Sequence, residues 1–167
     1  MRKTLTTAVA LVALGTIAAA FAAVAAGGTH SSGQRVRIDV LGSGSNTTFV
    51  LSPMSHGRLQ RDSGPVTFCC WRSWKVTRAG AKLEVTNPRL TLVGTHGTLK
   101  IRNQIEWVGL PDDWSVWNGT WKVVGGTGAY AGLTGHGRDA GVGGKLDSSP
   151  SNPLDLKIRF FGFLGAK

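Results

Sequence analysis

Apolar and polar residues alternate with the period of a half-buried strand through most of the chain beyond residue 33. In Pro65 to Arg78 the side chains of Val66, Phe68, Trp74 and Val76 share one face with Cys70 and Arg72, while Thr67, Ser73, Lys75 and Thr77 take the other. In Gly97 to Val108 the apolar face is Leu99, Ile101, Ile105 and Trp107, and it includes Asn103. From Trp117 to Val123 the large side chains Trp117, Trp121 and Val123 fall at alternate positions, with Asn118, Thr120 and Lys122 between them. The same pattern predicts strands at Gln34 to Leu41, Asn46 to Ser52, Pro65 to Arg78, Ala81 to Thr86, Arg89 to Thr95, Gly97 to Val108, Ser115 to Val124, Ala129 to Arg138 and Leu154 to Leu164. Ser52 to Gly64 and Arg138 to Pro153 read as loops. No stretch carries a helical period, so the domain is all-β: a sandwich or a closed barrel, of which closure removes the exposed edges.

The most constrained stretch is WNGTWKVVGGTGAYAGLTGHG, Trp117 to Gly137. Gly125, Gly126 and Gly128 are expected to reverse the chain through positive φ. Gly132, Gly135 and Gly137 are spaced as where a strand bends or lies against another backbone. The glycines do not make a nucleotide site, because a phosphate loop needs a helix N-terminus and the Walker form a following Gly-Lys-Ser/Thr. Gly119-Thr120-Trp121, followed by Val124 to Gly132 and then Gly135, resembles the glycine-rich hairpin of allene oxide cyclase-like and dirigent-like proteins. That resemblance implies an antiparallel, calycin-like barrel of about eight strands around an apolar cavity. Such families include isomerases and cyclases of reactive natural-product intermediates, and proteins that direct stereochemistry without a bond-making site. No catalytic residue of either branch maps onto a matching motif here.

Arg2 and Lys3 precede an alanine-rich apolar run, Ala8 to Ala26, that ends in small residues, which is the pattern of a secretory signal peptide. This divides the chain into a signal peptide at 1–26, a flexible start at 27–33 and one barrel domain at 34–167, secreted and without a stable membrane anchor after cleavage. The net charge of +10 is concentrated between Arg35 and Arg102. Such a surface attracts polyanions, and for an exported protein an anionic cell-surface polymer or lipid is the expected partner rather than nucleic acid.

Arg72 and Asn103 are polar groups expected inside, and each either has a protein partner or addresses a ligand. Trp74, Trp107, Trp117 and Trp121 are expected on inner faces, where they line a cavity for an apolar molecule or fill it. Trp114 falls in a turn with Asp112 and Asp113. Tyr130 reads as a packing residue of the hairpin. His56, His96 and His136 each precede a glycine without the spacing of a zinc motif, so no metal or other cofactor is expected. Adjacent Cys69 and Cys70 would face opposite ways in a regular strand, which leaves three fates: a strained vicinal disulfide at a local strand break, a reduced pair with Cys70 in the core and Cys69 outside, or a link between chains through Cys69. Export favours oxidation and tilts the expectation to the first.

Two functions follow. One is a non-enzymatic barrel that binds an apolar small molecule or a cell-surface polymer. The other is a cyclase or isomerase whose cavity shapes a substrate, with Arg72 and Asn103 as hydrogen-bond donors.

Overall fold

The computed structural model describes residues 33–43, 46–70, 72–111, 114–144 and 156–166. The expected signal peptide and most of the flexible start lie outside the described residues. The strands are β1 (Gln34–Ser43), β2 (Asn46–Pro53), β3 (Asp62–Cys69), β4 (Ser73–Arg78), β5 (Ala81–Thr86), β6 (Arg89–Val93), β7 (Thr98–Gly109), β8 (Trp114–Gly126), β9 (Leu133–Gly144) and β10 (Leu156–Ala166).

Eight of them close into an antiparallel barrel in the order β1, β2, β3, β6, β7, β8, β9, β10 and back to β1. Each strand of the ring pairs with its neighbours in the chain once the excursion β4–β5 is set aside, so the barrel is an up-and-down meander with no free edge. The excursion is a hairpin whose two-residue turn, Ala79-Gly80, has φ of 47° and 82°, the positive values that match strand twist. It leans on the distal half of β7 through Glu84 to Thr86 against Ile105 to Trp107.

The break between β3 and β4 corrects the continuous strand expected over Pro65 to Arg78. Cys70 takes φ of 59°, which ends the pleat and resets which side chains face inward. Asn87, in the connection between β5 and β6, holds this corner: its Oδ1 accepts from Arg72 N at 3.0 Å, and its own N–H donates to Arg72 O at 3.1 Å. The loop expected from Arg138 is also corrected, since β9 continues to Gly144.

Inward positions carry the core. Val36, Ile38 and Val40 of β1, Phe49 and Leu51 of β2, Leu90 and Leu92 of β6, Leu99 and Ile101 of β7, and Ile158, Phe160 and Leu164 of β10 are buried. The register puts the β6–β7 and β8–β9 connections and the Met54 to Arg61 loop at one end, here the lower end. The β1–β2 hairpin, Trp114 and Gly144 mark the upper end.

Candidate functional site: barrel interior, lower end and outer wall

Two of the expected tryptophans join the apolar core of the interior. Trp117 and Trp121 are buried, and glycines of β9 and β10 receive their rings. A Cβ on Gly162 would stand 2.6 Å from Trp121 Cζ2, and one on Gly141 would meet the Trp117 indole. Trp121 Nε1 donates to Phe161 O at 3.1 Å and to Arg138 O at 3.2 Å, so its polar edge is spent on the wall of the barrel. Phe160 packs edge-on against the same ring, with centroids 6.3 Å apart.

Of the other expected cavity residues, Asn103 is buried and Trp107 half-buried near the upper end. Trp74 is 42% exposed, and Arg72 is exposed as well. Both lie beyond the left-handed Cys70, where the chain leaves the ring for the β4–β5 excursion, and β4 is exposed on both faces, so neither side chain reaches the interior. Cys69 and Cys70 are free and exposed, not a vicinal disulfide; a hydrogen bond with the Cys70 thiol pushes the Cys69 thiol up from its ordinary value. Trp114 opens β8 on the outside, beside a cleft of about 210 Å³ with Gly42, Val142, Leu156 and Lys157. Of the three glycines expected to turn the chain, Gly128 alone has positive φ, 57°; Gly125 and Gly126 pair within β8 opposite Lys100 and Leu99.

Asp139 is the interior residue that sequence reasoning missed, because Gly141 and Gly143 after it erase the apolar half of the alternation. Asn103 Nδ2 donates to Asp139 Oδ2 at 3.3 Å. Burial pushes the Asp139 carboxyl up to about 7, and the Asn103 hydrogen bond opposes that rise. Asn103 Oδ1, Asp139 Oδ1 and Trp117 Nε1 have no hydrogen-bond partner among the described residues. A protonated Asp139 gains an O–H to donate, and Asn103 Oδ1 is an acceptor in need of one.

The lower end is knotted by a second buried acid, Asp62. Its Oδ1 accepts from Ser63 N, Thr95 N and Thr95 Oγ1, each at 2.8 Å, and its Oδ2 from Tyr130 O–H at 2.7 Å and His96 N at 3.3 Å. Burial alone would raise this carboxyl, but the hydrogen bonds from Tyr130, Thr95 and His96 outweigh it and hold the group at about 2. Burial and the ionised Asp62 push the Tyr130 phenol upward. Tyr130 is therefore a strut between β3 and the β8–β9 connection, not a free proton donor.

The outer wall carries the charge. Arg89 of β6 stands opposite Arg102 of β7, Arg102 opposite Lys122 of β8, and Lys122 opposite His136 of β9. All four side chains are exposed. The row continues through Phe163 of β10, whose ring lies 6.4 Å from that of His136, to Arg35 of β1. Lys100 and Arg138 flank it. Among the described residues no carboxylate lies within ion-pair distance of Arg89, Arg102, Lys122 or Arg138. Three other cations are paired: Arg78 with Glu106, and Arg159 and Arg37 with Asp39, where Arg159 Nε donates at 2.6 Å and Arg37 Nε stands 2.9 Å from the other oxygen, near enough for an ion pair but not aligned as a hydrogen bond.

Among the described residues no three of His, Cys, Asp or Glu converge as metal ligands. Compared with protein families, with curated proteins and with solved structures, the chain matches none.

Proposed function

We propose that the barrel is an exported protein that binds an anionic cell-surface polymer along its outer wall. The observation that carries this reading is the register of Arg89, Arg102 and Lys122, three cations directly opposite one another on adjacent strands without a counter-charge. Like charges so placed destabilise a sheet by roughly 0.2–1 kcal/mol per pair. A purely structural wall has no use for that cost, whereas a polyanion laid across strands about 4.8 Å apart neutralises all three. The Phe163 and His136 rings extend the track with surface on which a polymer backbone can rest.

The test is co-sedimentation of the mature protein with an anionic wall polymer at low and high salt. Binding should fall steeply as salt rises and should weaken in Arg102→Gln. Retention that ignores salt and substitution alike would sink the reading.

A second reading, a small-molecule barrel of the cyclase or isomerase kind, is favoured by one observation: the unpartnered Asn103 Oδ1, Asp139 Oδ1 and Trp117 Nε1 beneath half-buried Ile105 and Trp107. Tryptophan quenching by an apolar ligand that is lost in Asn103→Leu would support it, since the folded state alone offers this cluster.

A further inference from the structure

The Met54 to Arg61 loop is more strongly tethered than a surface connection requires. Gln34 reaches from β1 to clamp it: Nε2 donates to Ser55 O at 2.9 Å and to Leu59 O at 3.3 Å, and Oε1 accepts from Leu59 N at 2.8 Å. Ser55 Oγ accepts from Arg35 N at 2.9 Å, and Met54 N donates to Arg35 O at 2.8 Å. The clamped loop forms one wall of a cleft of about 170 Å³ lined by Arg58, Leu59, Gln60, His96, Ala129 and Tyr130.

His96 is oriented from behind. Its Nδ1 faces Asp62 Oδ1 at 3.5 Å and Thr95 Oγ1 at 3.3 Å. Thr95 spends its hydroxyl proton on Asp62, so its lone pair accepts and Nδ1 is the donor. This leaves Nε2 directed away from Asp62, on a ring that lines the same cleft as Arg58. The Asp62 charge does not repel an anion there strongly, because five donors already surround its two oxygens.

We propose that this lower-end cleft is a binding site for a single oxyanion group, a carboxylate or phosphate carried by a small molecule, held by Arg58 and by His96 on its Asp62 support. The cleft lies below the roughly 300–1,000 Å³ of sites for drug-sized ligands. It suits one charged head group, with Leu59, Ala129 and the Tyr130 ring against whatever apolar part follows. Arg supplies a planar fork for two oxygens, and the His96 ring adds an Nε2–H donor only when it carries a proton on both nitrogens. The site is separate from the cationic row of Arg89, Arg102 and Lys122, and stands whether or not that row binds polymer.

The experiment is a titration of the mature, isotope-labelled protein with inorganic phosphate and, in parallel, with acetate, at constant ionic strength, following the His96 ring signals. Saturable shifts with a millimolar midpoint in either arm are expected, and the responding anion identifies the head group. Arg58→Gln should weaken the midpoint tenfold or more. Lys75→Gln, which removes the same charge from the β4–β5 hairpin, should leave it unchanged. Shifts that fail to saturate with both anions would overturn the proposal. So would equal weakening in Arg58→Gln and Lys75→Gln, which would mean that the protein's overall field and not this cleft gathers the anion.

Discussion

Trp121 and Gly137 are opposite one another on β8 and β9, and the place of a side chain on that glycine is taken first by the β10 backbone at Phe161 and Gly162 and then by the indole. A Cβ on Gly137 would stand 2.7 Å from Trp121 Nε1 and would press on Phe161 O, the acceptor of that indole N–H. Gly137→Ala should therefore destabilise the barrel by about 1–3 kcal/mol, as overpacking of a filled core does. Urea unfolding monitored by tryptophan fluorescence measures it. An unchanged midpoint would mean that both the β10 backbone and the ring have room to move.

The two buried acids predict opposite pH behaviour. Asp139 sits at about 7, above the 3.8 of an ordinary aspartate. Its contribution is fully present below about pH 4 and is lost as pH rises through 7, because the unfolded chain releases a proton that the folded one keeps. By pH 8 the loss is on the order of a few kcal/mol. Asp139→Asn keeps the neutral shape and cannot ionise. Its stability relative to the parent should rise between pH 4 and pH 8, read as the gap between urea midpoints. A constant gap would place the ionised carboxylate in a better environment than the Asn103 contact alone provides.

Asp62 runs the other way. Held at about 2, it contributes stability above about pH 4 that is lost as pH falls through 2. Tyr130→Phe removes the 2.7 Å hydrogen bond to Oδ2 and should cost roughly 1–3 kcal/mol at neutral pH. The Asp62 carboxyl then moves up towards its ordinary value, so acid unfolding should begin at higher pH than in the parent. Circular dichroism from pH 5 to pH 1 would reveal the shift, and coincident acid transitions would remove Tyr130 from the support of Asp62.

How far these sites could be read from the sequence depended on whether local pattern or long-range register decides them. The ring of strands was legible because residues such as Leu99, Ile101 and Asn103 keep strict alternation in one unbroken strand, and the excursion strand Ala81 to Thr86 was legible because it is bounded by a tight turn and a proline corner. Arg72 and Trp74 misled because alternation assumes a strand that stays in the barrel wall, and at the left-handed Cys70 the chain leaves that wall for the β4–β5 excursion, whose first strand is exposed on both faces. Asp62 was hidden among polar neighbours in an expected loop, although its partners Thr95, His96 and Tyr130 are far along the chain. The cationic row was invisible for a related reason: Arg89, Arg102 and Lys122 are unremarkable apart, and only strand pairing lines them up.

That alignment leads to a prediction in which stability and binding move in opposite directions. Arg102 is the middle of the three cations, with Arg89 on one side and Lys122 on the other. Arg102→Gln removes two unfavourable cross-strand neighbours at once while keeping a long polar side chain on an exposed strand position. At low salt it should raise stability by up to about 1 kcal/mol, and the gain should shrink as salt screens the parent's repulsion at distances near the Debye length of roughly 10 Å at 0.1 M. The same substitution should weaken retention on an anionic polymer most at low salt, where the lost charge counts most. Paired measurements of melting temperature and polymer co-sedimentation across a salt series test both halves. If Arg102→Gln is less stable than the parent at low salt, the cations are not repelling one another, and the argument that the wall is arranged for an external anion fails with them.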